Sequence, residues 1–136
     1  MALPLDDQLA IQDLYARYCH ALDDGDGDGV AACFTPDGTL DAKLGDPVVG
    51  TEALTTFVAG VVQFVPGIRH QVTNVMVTGE GDAATGRAYL YAYRAGANGH
   101  EVIITGRYRD TLRKDGGTWR FVLRTMDPDA PAAASA

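Results

Sequence analysis

The sequence predicts an α+β fold in which three N-terminal helices pack in a curved, mostly antiparallel β-sheet. In the first half of the 136-residue chain, the apolar residues recur at helical spacing. After Pro66-Gly67 they alternate with polar residues instead, and short glycine-rich turns separate the alternating segments. Helices followed by a run of long strands are typical of α+β domains. The length suits a single core, so we expect one domain at residues 1–127 and a flexible C-terminal tail at residues 128–136.

Three helices are predicted in the first half of the chain, at residues 6–23, at residues 30–34, and between Thr51 and Pro66-Gly67. The first has an apolar face made by Ile11, Leu14, Tyr15, Tyr18 and Leu22. Asp6 or Asp7 can cap its start, and Thr51 can cap the third helix. These signals place all of the helical structure before the proline and glycine at positions 66 and 67.

Strands are predicted at residues 39–42, 69–78, 83–94, 101–112 and 118–126. The last four are long, and the turn sequences GEGD, AGANG and KDGG join them in the order of a meander. A sheet that curves around helices leaves an open concavity at one end. We expect this concavity to bind a small molecule.

The segment HALDDGDGDGV resembles the start of a calcium-binding EF-hand loop. Asp24, Asp26, Asp28 and Gly29 fit the loop pattern in register. The twelfth position, however, holds Thr35, whose hydroxyl cannot replace the two carboxylate oxygens of the usual glutamate. We therefore interpret the segment as a turn in which Asp26 or Asp28 caps the second helix, and we expect no bound metal.

Charge and hydropathy exclude several classes of protein. The net charge is −7, with two basic and eleven acidic side chains in residues 1–68 but nine basic and seven acidic in residues 69–136. An acidic chain lacks the basic stripe that nucleic-acid binding requires, so we expect no nucleic-acid partner. No apolar run is long enough to span a membrane, and the N-terminus lacks the pattern of a signal peptide, so we expect no membrane partner.

The two cysteines, Cys19 and Cys33, lie in apolar surroundings and outside any metal-binding or disulfide motif. This favours small buried residues in a reduced cytoplasm. The three histidines are scattered, and the sequence has neither a serine nucleophile motif nor a phosphate-binding loop. We therefore expect neither a metal nor a cofactor.

Two neighbouring aspartates end the first helix and differ in their predicted surroundings. At about 100° per residue, Asp23 lies at the margin of the apolar face beside Cys19, whereas Asp24 and His20 face solvent. A carboxylate at the edge of a core needs a partner. His70, at the start of the first long strand, is a candidate, although a lone strand histidine is more often structural. Paired with Asp23, its imidazole would have a fixed tautomer and a higher basicity, as in a general base and its orienting group.

Four segments together resemble one family. They read IQDLYARYCHALDDGD, FTPDG, RHQVTNVMV and GRYRDTLRKDGGTWRF, and they resemble the SnoaL-like branch of the nuclear transport factor 2-like superfamily. The resemblance extends to about Met126 and implies a cone-shaped fold, with curved sheet around three helices. The family includes polyketide cyclases, steroid isomerases, epoxide hydrolases, dehydratases, a dehydrochlorinase, and proteins that only bind ligands or act as subunits.

The resemblance implies roles for particular residues. Asp23 and His70 match the Asp/His dyad of the scytalone dehydratase, bile-acid dehydratase and dehydrochlorinase type. Tyr18 and Tyr15 lie where pocket tyrosines are common in the family, so Tyr18 is a candidate catalytic residue and Tyr15 a candidate substrate-binding residue.

Further substrate-binding candidates lie on the strands. Asn74 ends a His-x-x-Thr-Asn segment that resembles the dehydrochlorinase, and Arg107 or Arg109 is a candidate cation. His100 falls in or near a predicted turn, so the second pocket histidine of scytalone dehydratase has no clear match. The substrate of that enzyme is therefore not implied.

The leading interpretation is a cofactor-independent lyase, of the dehydratase or dehydrohalogenase type, that acts on a small hydrophobic cyclic substrate. His70, held by Asp23, would remove a proton, and Tyr18 would stabilise the developing negative charge. An isomerase or polyketide cyclase that uses the same pocket stays open as an alternative, as does a non-catalytic ligand-binding or dimeric subunit protein. Because helices cover only one face of four long strands, we also expect a homodimer through the outer face of the sheet.

Overall fold

A computed structural model of the chain describes residues 2–131. It contains three helices, α1 (Leu5–Asp23), α2 (Gly27–Ala32) and α3 (Thr51–Phe64). Six strands form one sheet: β1 (Phe34–Asp41), β2 (Val48–Val49), β3 (Arg69–Glu80), β4 (Ala83–Gly96), β5 (Gly99–Asp115) and β6 (Thr118–Pro128). The predicted mixed α+β class is confirmed. Residues 132–136 of the predicted tail lie outside the described residues.

The sheet is curved and unclosed, with the strand order β2-β1-β6-β5-β4-β3. The last four strands form an antiparallel meander, as their alternating sequences predicted. β1 pairs with β2 antiparallel and with β6 parallel. No helix within residues 2–131 is both long and apolar enough to cross a membrane.

The second helix and the first strand begin earlier than predicted. α2 starts at Gly27, because the Asp26 side chain accepts a hydrogen bond from the Gly29 backbone N–H at 2.9 Å and caps the helix. β1 starts at Phe34 rather than at the predicted residue 39, since its pairing with β6 continues across a register break before Thr39. β2 was not predicted because two residues are too short to show alternation.

The predicted caps of α1 and α3 are wrong. Pro4 occupies the N-cap position of α1, and Asp6 and Asp7 lie in the first turn. Gly50 occupies the N-cap position of α3 with a φ of 88°, a region that glycine adopts without steric cost. Thr51 is therefore the first residue of α3 rather than its cap.

The apolar face of α1 packs on aromatic side chains of the sheet. The Tyr15 and Phe121 rings lie 5.4 Å apart, and Tyr18 contacts Phe34 and Tyr108 with ring centroids 6.1 and 6.3 Å away. These contacts are edge-on, the arrangement that aromatic pairs favour. They fix α1 on the sheet and thereby fix the position of its C-terminal end, which carries the predicted dyad aspartate.

Two of the register shifts in the sheet, one in β3 and one in β6, change which side chains face inward. In β3 the ladder shifts between Thr73 and Met76, and Asn74 adopts a left-handed conformation with a φ of 56°. In β6 the ladder shifts so that Phe121 and Leu123 pair with neighbouring residues of β5 and Val122 has no partner there. Beyond each bulge, a side chain that simple alternation assigns to one face lies on the other.

Candidate functional site

Asp23 and His70 form a hydrogen-bonded pair where the end of α1 meets the start of β3. Nδ1 of His70 lies 2.5 Å from Oδ1 of Asp23. The backbone N–H of His70 also donates to both carboxylate oxygens, at 3.2 and 3.0 Å. Each side chain is only 8% exposed. The structure thus brings together the two residues that the sequence paired.

This geometry defines which imidazole nitrogen is available for chemistry. A carboxylate accepts hydrogen bonds, so in the neutral ring Nδ1 carries the proton and donates it to Asp23. The other ring nitrogen, Nε2 of His70, then has a free lone pair, and no side chain or backbone group within residues 2–131 is hydrogen-bonded to it. A free lone pair on a held imidazole is what a general base requires.

His70 lines an apolar cavity of about 630 Å³ between the helices and the sheet. Its other walls are mostly aliphatic or aromatic and include Leu22, Leu40, Phe57, Leu90, Ile104 and Met126. Leu44 and Phe64 also line it and are 69% and 88% exposed, so they lie at its open side. The volume and the apolar walls are those of a small-molecule site.

Two residues that carry hydroxyl groups, Tyr18 and Tyr108, belong to the cavity wall. Both residues line it, and both are only 2% exposed. Burial raises the pKa of each phenol above its usual value, and the nearby Arg124 guanidinium opposes that shift. Both phenols therefore stay protonated at ordinary pH and act as hydrogen-bond donors.

A buried guanidinium lies against these tyrosine rings. Arg124 is fully buried, and its Cζ atom lies 3.5 Å from the Tyr108 ring centroid and 4.4 Å from that of Tyr18. Its Nε is 3.2 Å from Oδ1 of Asp110, an ion pair without the alignment of a hydrogen bond. Within the described chain, Nη1 and Nη2 have no hydrogen-bond partner. The rings solvate much of this charge through their faces.

Tyr15, a predicted substrate-binding residue, is not among the residues that line this cavity. Its hydroxyl donates to Oδ2 of Asp110 at 2.5 Å. Burial raises the pKa of the Asp110 carboxyl, while Arg124 and the Tyr15 hydrogen bond oppose the rise. Tyr15 thus holds the carboxylate that faces Arg124 and does not contact the cavity.

Asn74 and Arg107 lie on the outer face of the sheet, so the structure does not place them to contact a ligand of the dyad. Tyr108 points inward, and successive side chains of a strand point to opposite faces, so Arg107 and Arg109 point outward. Asn74, Arg107 and Arg109 line a separate groove of about 690 Å³, to which neither dyad residue contributes. Arg109 is also bound to Asp127 by two hydrogen bonds of 2.6 and 3.2 Å.

The predicted surface residues lie where the sequence placed them. Asp24 and His20 are exposed, and Asp26 caps α2. Among residues 2–131, no group of three or more His, Cys, Asp or Glu side chains is arranged to hold a metal ion. His100 is exposed near the start of β5 and contacts the Tyr93 ring rather than the dyad.

Tyr108 and Arg124 were not among the site residues predicted from the sequence. The alternation in the segment RYRD at residues 107–110 would have assigned Tyr108 to the inner face. No sequence pattern indicated that Arg124 faces inward. Strict alternation from the inward-facing Phe121 places the Arg124 side chain on the outer face, and the bulge at Val122 reverses that direction.

A curved, open sheet with three helices over a lined cavity is the architecture of the cystatin-like and nuclear transport factor 2-like folds. The SnoaL-like domain family matches residues 4–125, and the chain belongs to this family. None of the curated proteins matches the chain significantly.

Solved structures of similar proteins come from several bacteria. A variant of a Mycobacterium tuberculosis protein of unknown function is 35% identical, with a TM-score of 0.87, over 93% of this chain and 78% of that one. A candidate aromatic ring hydroxylase from Novosphingobium aromaticivorans is 36% identical, with a TM-score of 0.83, over 95% of this chain and 93% of that one. A Nostoc punctiforme protein of unknown function with a cystatin-like fold is 29% identical, with a TM-score of 0.85, over 95% and 96%.

Proposed function

We propose that the protein is a cofactor-independent lyase that removes a proton from a small hydrophobic cyclic substrate. The observation that carries the proposal is the Asp23–His70 pair on the wall of an apolar cavity, with Nδ1 of His70 held at 2.5 Å and Nε2 free. A base oriented by a carboxylate beside an apolar chamber suits abstraction of a proton from carbon.

In the proposed reaction, Nε2 of His70 takes a proton from a carbon next to an activating group. The electron pair of that C–H bond forms the new C=C bond, and hydroxide or halide leaves with its own bonding pair. When hydroxide leaves, the imidazolium returns the proton, so that water is released. Asp23 stabilises the imidazolium in between.

Tyr18 and Arg124 would stabilise negative charge that develops on the substrate. The Tyr18 hydroxyl is a neutral donor at the cavity wall, and the buried Arg124 guanidinium lies 4.4 Å from the centre of its ring. Preorganised donors in a site with little water stabilise a developing charge more strongly than water does. Positioned acid–base groups usually raise the rate of a reaction by about 10² to 10⁴-fold. Any further rate enhancement would come from the orientation of the substrate in the cavity.

The cavity walls favour a ring of carbon atoms as the substrate. The name of the 36% identical Novosphingobium relative refers to an aromatic ring, which supports a flat, apolar substrate class. An isomerase or polyketide cyclase would use the same base and the same pocket, with the proton returned elsewhere or a carbon–carbon bond formed.

The test is incubation of the purified protein with cyclic β-hydroxyketones and chlorinated cyclohexanes in D₂O. We expect release of water or chloride with formation of an alkene, followed by NMR, and we expect the His70→Ala variant to lack this activity. Deuterium uptake without elimination would indicate that the protein is an isomerase or a cyclase rather than a lyase. Binding of these compounds with neither exchange nor product would indicate a protein that only binds ligands.

A further inference from the structure

A glycine lies inside the third helix, on the side that borders the cavity. Gly60 belongs to α3, which runs from Thr51 to Phe64, and it lines the cavity together with Phe57 and Phe64. Glycine inside a helix makes the folding equilibrium about two- to fivefold less favourable than alanine does, because glycine loses more backbone freedom on folding. The presence of Gly60 therefore requires an explanation, either in packing or in function.

The packing of the chain does not require this glycine. Within residues 2–131 and beyond its own stretch of helix, a Cβ atom at Gly60 would have no heavy atom within 4 Å. Its φ is the negative φ of a helix, so the backbone conformation does not require glycine either. Gly27 differs, since a Cβ atom there would lie 2.7 Å from Cγ2 of Thr55. The space beside Gly60 is open and borders the cavity.

Two exposed apolar side chains lie at the same open side of the cavity. Phe64 follows Gly60 by one helical turn and is 88% exposed, and Leu44 is 69% exposed. Both line the cavity. Because burial of apolar surface is favourable, an apolar group that covers these two side chains would bind there.

The cavity is larger than a single ring requires. Its volume of about 630 Å³ falls in the range of roughly 300 to 1,000 Å³ that is typical of sites for drug-sized molecules. A single ring held against His70 would leave Phe64 and Leu44 in water. The walls therefore favour a ligand that continues from the ring to the open side.

We propose that Gly60 determines the largest ligand that the cavity accepts, because its missing side chain leaves room for an apolar extension of the ligand. This inference rests on the proposed function and narrows the substrate to molecules that extend beyond the ring facing His70. The extension contacts Phe64 and Leu44 and lies against the α3 backbone at Gly60. Gly60 is thus a specificity-determining residue and takes no part in proton transfer.

The test compares two flat apolar probes of different size, naphthalene and the larger pyrene, by fluorescence titration. We expect the unmodified protein to bind pyrene at least about tenfold tighter, because pyrene buries more apolar surface. Gly60→Leu should lose about tenfold in affinity for pyrene, the usual effect of an extra methylene group in an apolar pocket, and should keep its affinity for naphthalene. Ala59→Leu is the matched control, since Ala59 is the neighbouring residue of α3, is exposed and does not line the cavity.

Gly60→Ala tests the packing argument separately. Its methyl group enters open space, so the folding equilibrium in urea denaturation should improve by about two- to fivefold. A less stable Gly60→Ala variant would show that the fold itself requires the glycine, and it would contradict the proposal.

Unchanged affinity of Gly60→Leu for pyrene would overturn the proposal, as would an equal loss in Ala59→Leu or no preference for pyrene in the unmodified protein. If Gly60→Leu fails to fold, NMR of the unmodified protein decides instead. The backbone amide signal of Gly60 should shift with pyrene and stay in place with naphthalene, and equal shifts or no shift would contradict the proposal. Asp23→Asn should keep the preference for pyrene, so a failure of the dyad is distinguishable from a failure at Gly60.

Discussion

Asp23 holds His70 in place, because its single carboxylate binds both the imidazole ring and the backbone N–H of that residue. An asparagine is nearly the same size but cannot stabilise the imidazolium that forms during proton abstraction. We expect Asp23→Asn to stay folded and to lose turnover by about 10² to 10⁴-fold. His70→Ala should lose a similar amount, and the double variant should be little worse, because residues that act as a unit are non-additive. The measurement is a double-mutant cycle in kcat with a melting curve for each variant.

Asp24→Asn is the matched control for this cycle, since Asp24 is the next residue along and is exposed. It should keep full activity. Fully additive losses at Asp23 and His70, or a large loss at Asp24 in a folded protein, would show that the two residues are not a functional pair.

The side chain of Asp26 determines where the helix α2 begins. Its carboxylate accepts from the Gly29 N–H at 2.9 Å, and α2 is only six residues long. We expect Asp26→Ala to lower the free energy of unfolding by about 1 kcal/mol, the usual value of such a cap. Urea denaturation measures this, with Asp28→Ala as the control that leaves the cap in place. Calcium should not raise the melting temperature, and a calcium-dependent rise lost in Asp26→Ala would contradict the assignment of a turn and cap.

Asp7 connects α1 to the hairpin of β5 and β6. Its carboxylate accepts from Trp119 Nε1 at 3.0 Å and from Lys114 Nζ at 2.9 Å, and these hydrogen bonds lower its pKa below the usual 3.8. A lowered pKa stabilises the fold above the unfolded-state value and loses that effect as the pH falls through the folded-state value. We expect Asp7→Asn to be less stable than the unmodified protein at pH 7, with the difference shrinking as the pH falls below about 3.8.

Urea unfolding at a series of pH values between 2 and 7 measures this difference. Asp6→Asn is the control, because Asp6 lies in the same turn of α1 and is exposed. A difference between Asp7→Asn and the unmodified protein that is constant across the whole pH range would contradict the role of the charge.

The outer face of the sheet is a candidate surface for association of two whole molecules. It exposes large apolar side chains, with Met76 57%, Tyr89 54% and Leu123 39% exposed. Exposed apolar side chains of this size on one face favour association. We propose that two copies of the chain pair through this face, so that light scattering at micromolar concentration should give twice the mass of one chain.

Tyr89→Glu should shift that mass toward the monomer, because it places a charge in the proposed interface. Leu9→Glu is the control, since Leu9 is 58% exposed on α1, away from the sheet. A monomeric mass for the unmodified protein, or equal effects of the two substitutions, would count against pairing through the sheet.

Sequence alone determined the features that depend on local periodicity. The apolar spacing of α1 fixed its buried face and therefore placed Asp23 at the margin of that face, with Asp24 and His20 in solvent. The alternation after residue 68 fixed the four long strands and their order as a meander. Helical spacing and strand alternation depend only on residues that are close together in the sequence. They can therefore be predicted without knowledge of the tertiary structure.

Only the tertiary structure decided which distant residues share the cavity. Tyr15 and Tyr18 lie on the same face of α1, yet the hydroxyl of Tyr15 meets Asp110 while Tyr18 lines the cavity. Arg124 turns inward because a bulge in β6 shifts the alternation by one residue, and Asn74 lies at a similar shift in β3. A bulge depends on how two strands pair rather than on the sequence of either one. The faces of the residues beyond it are therefore set by the assembled sheet.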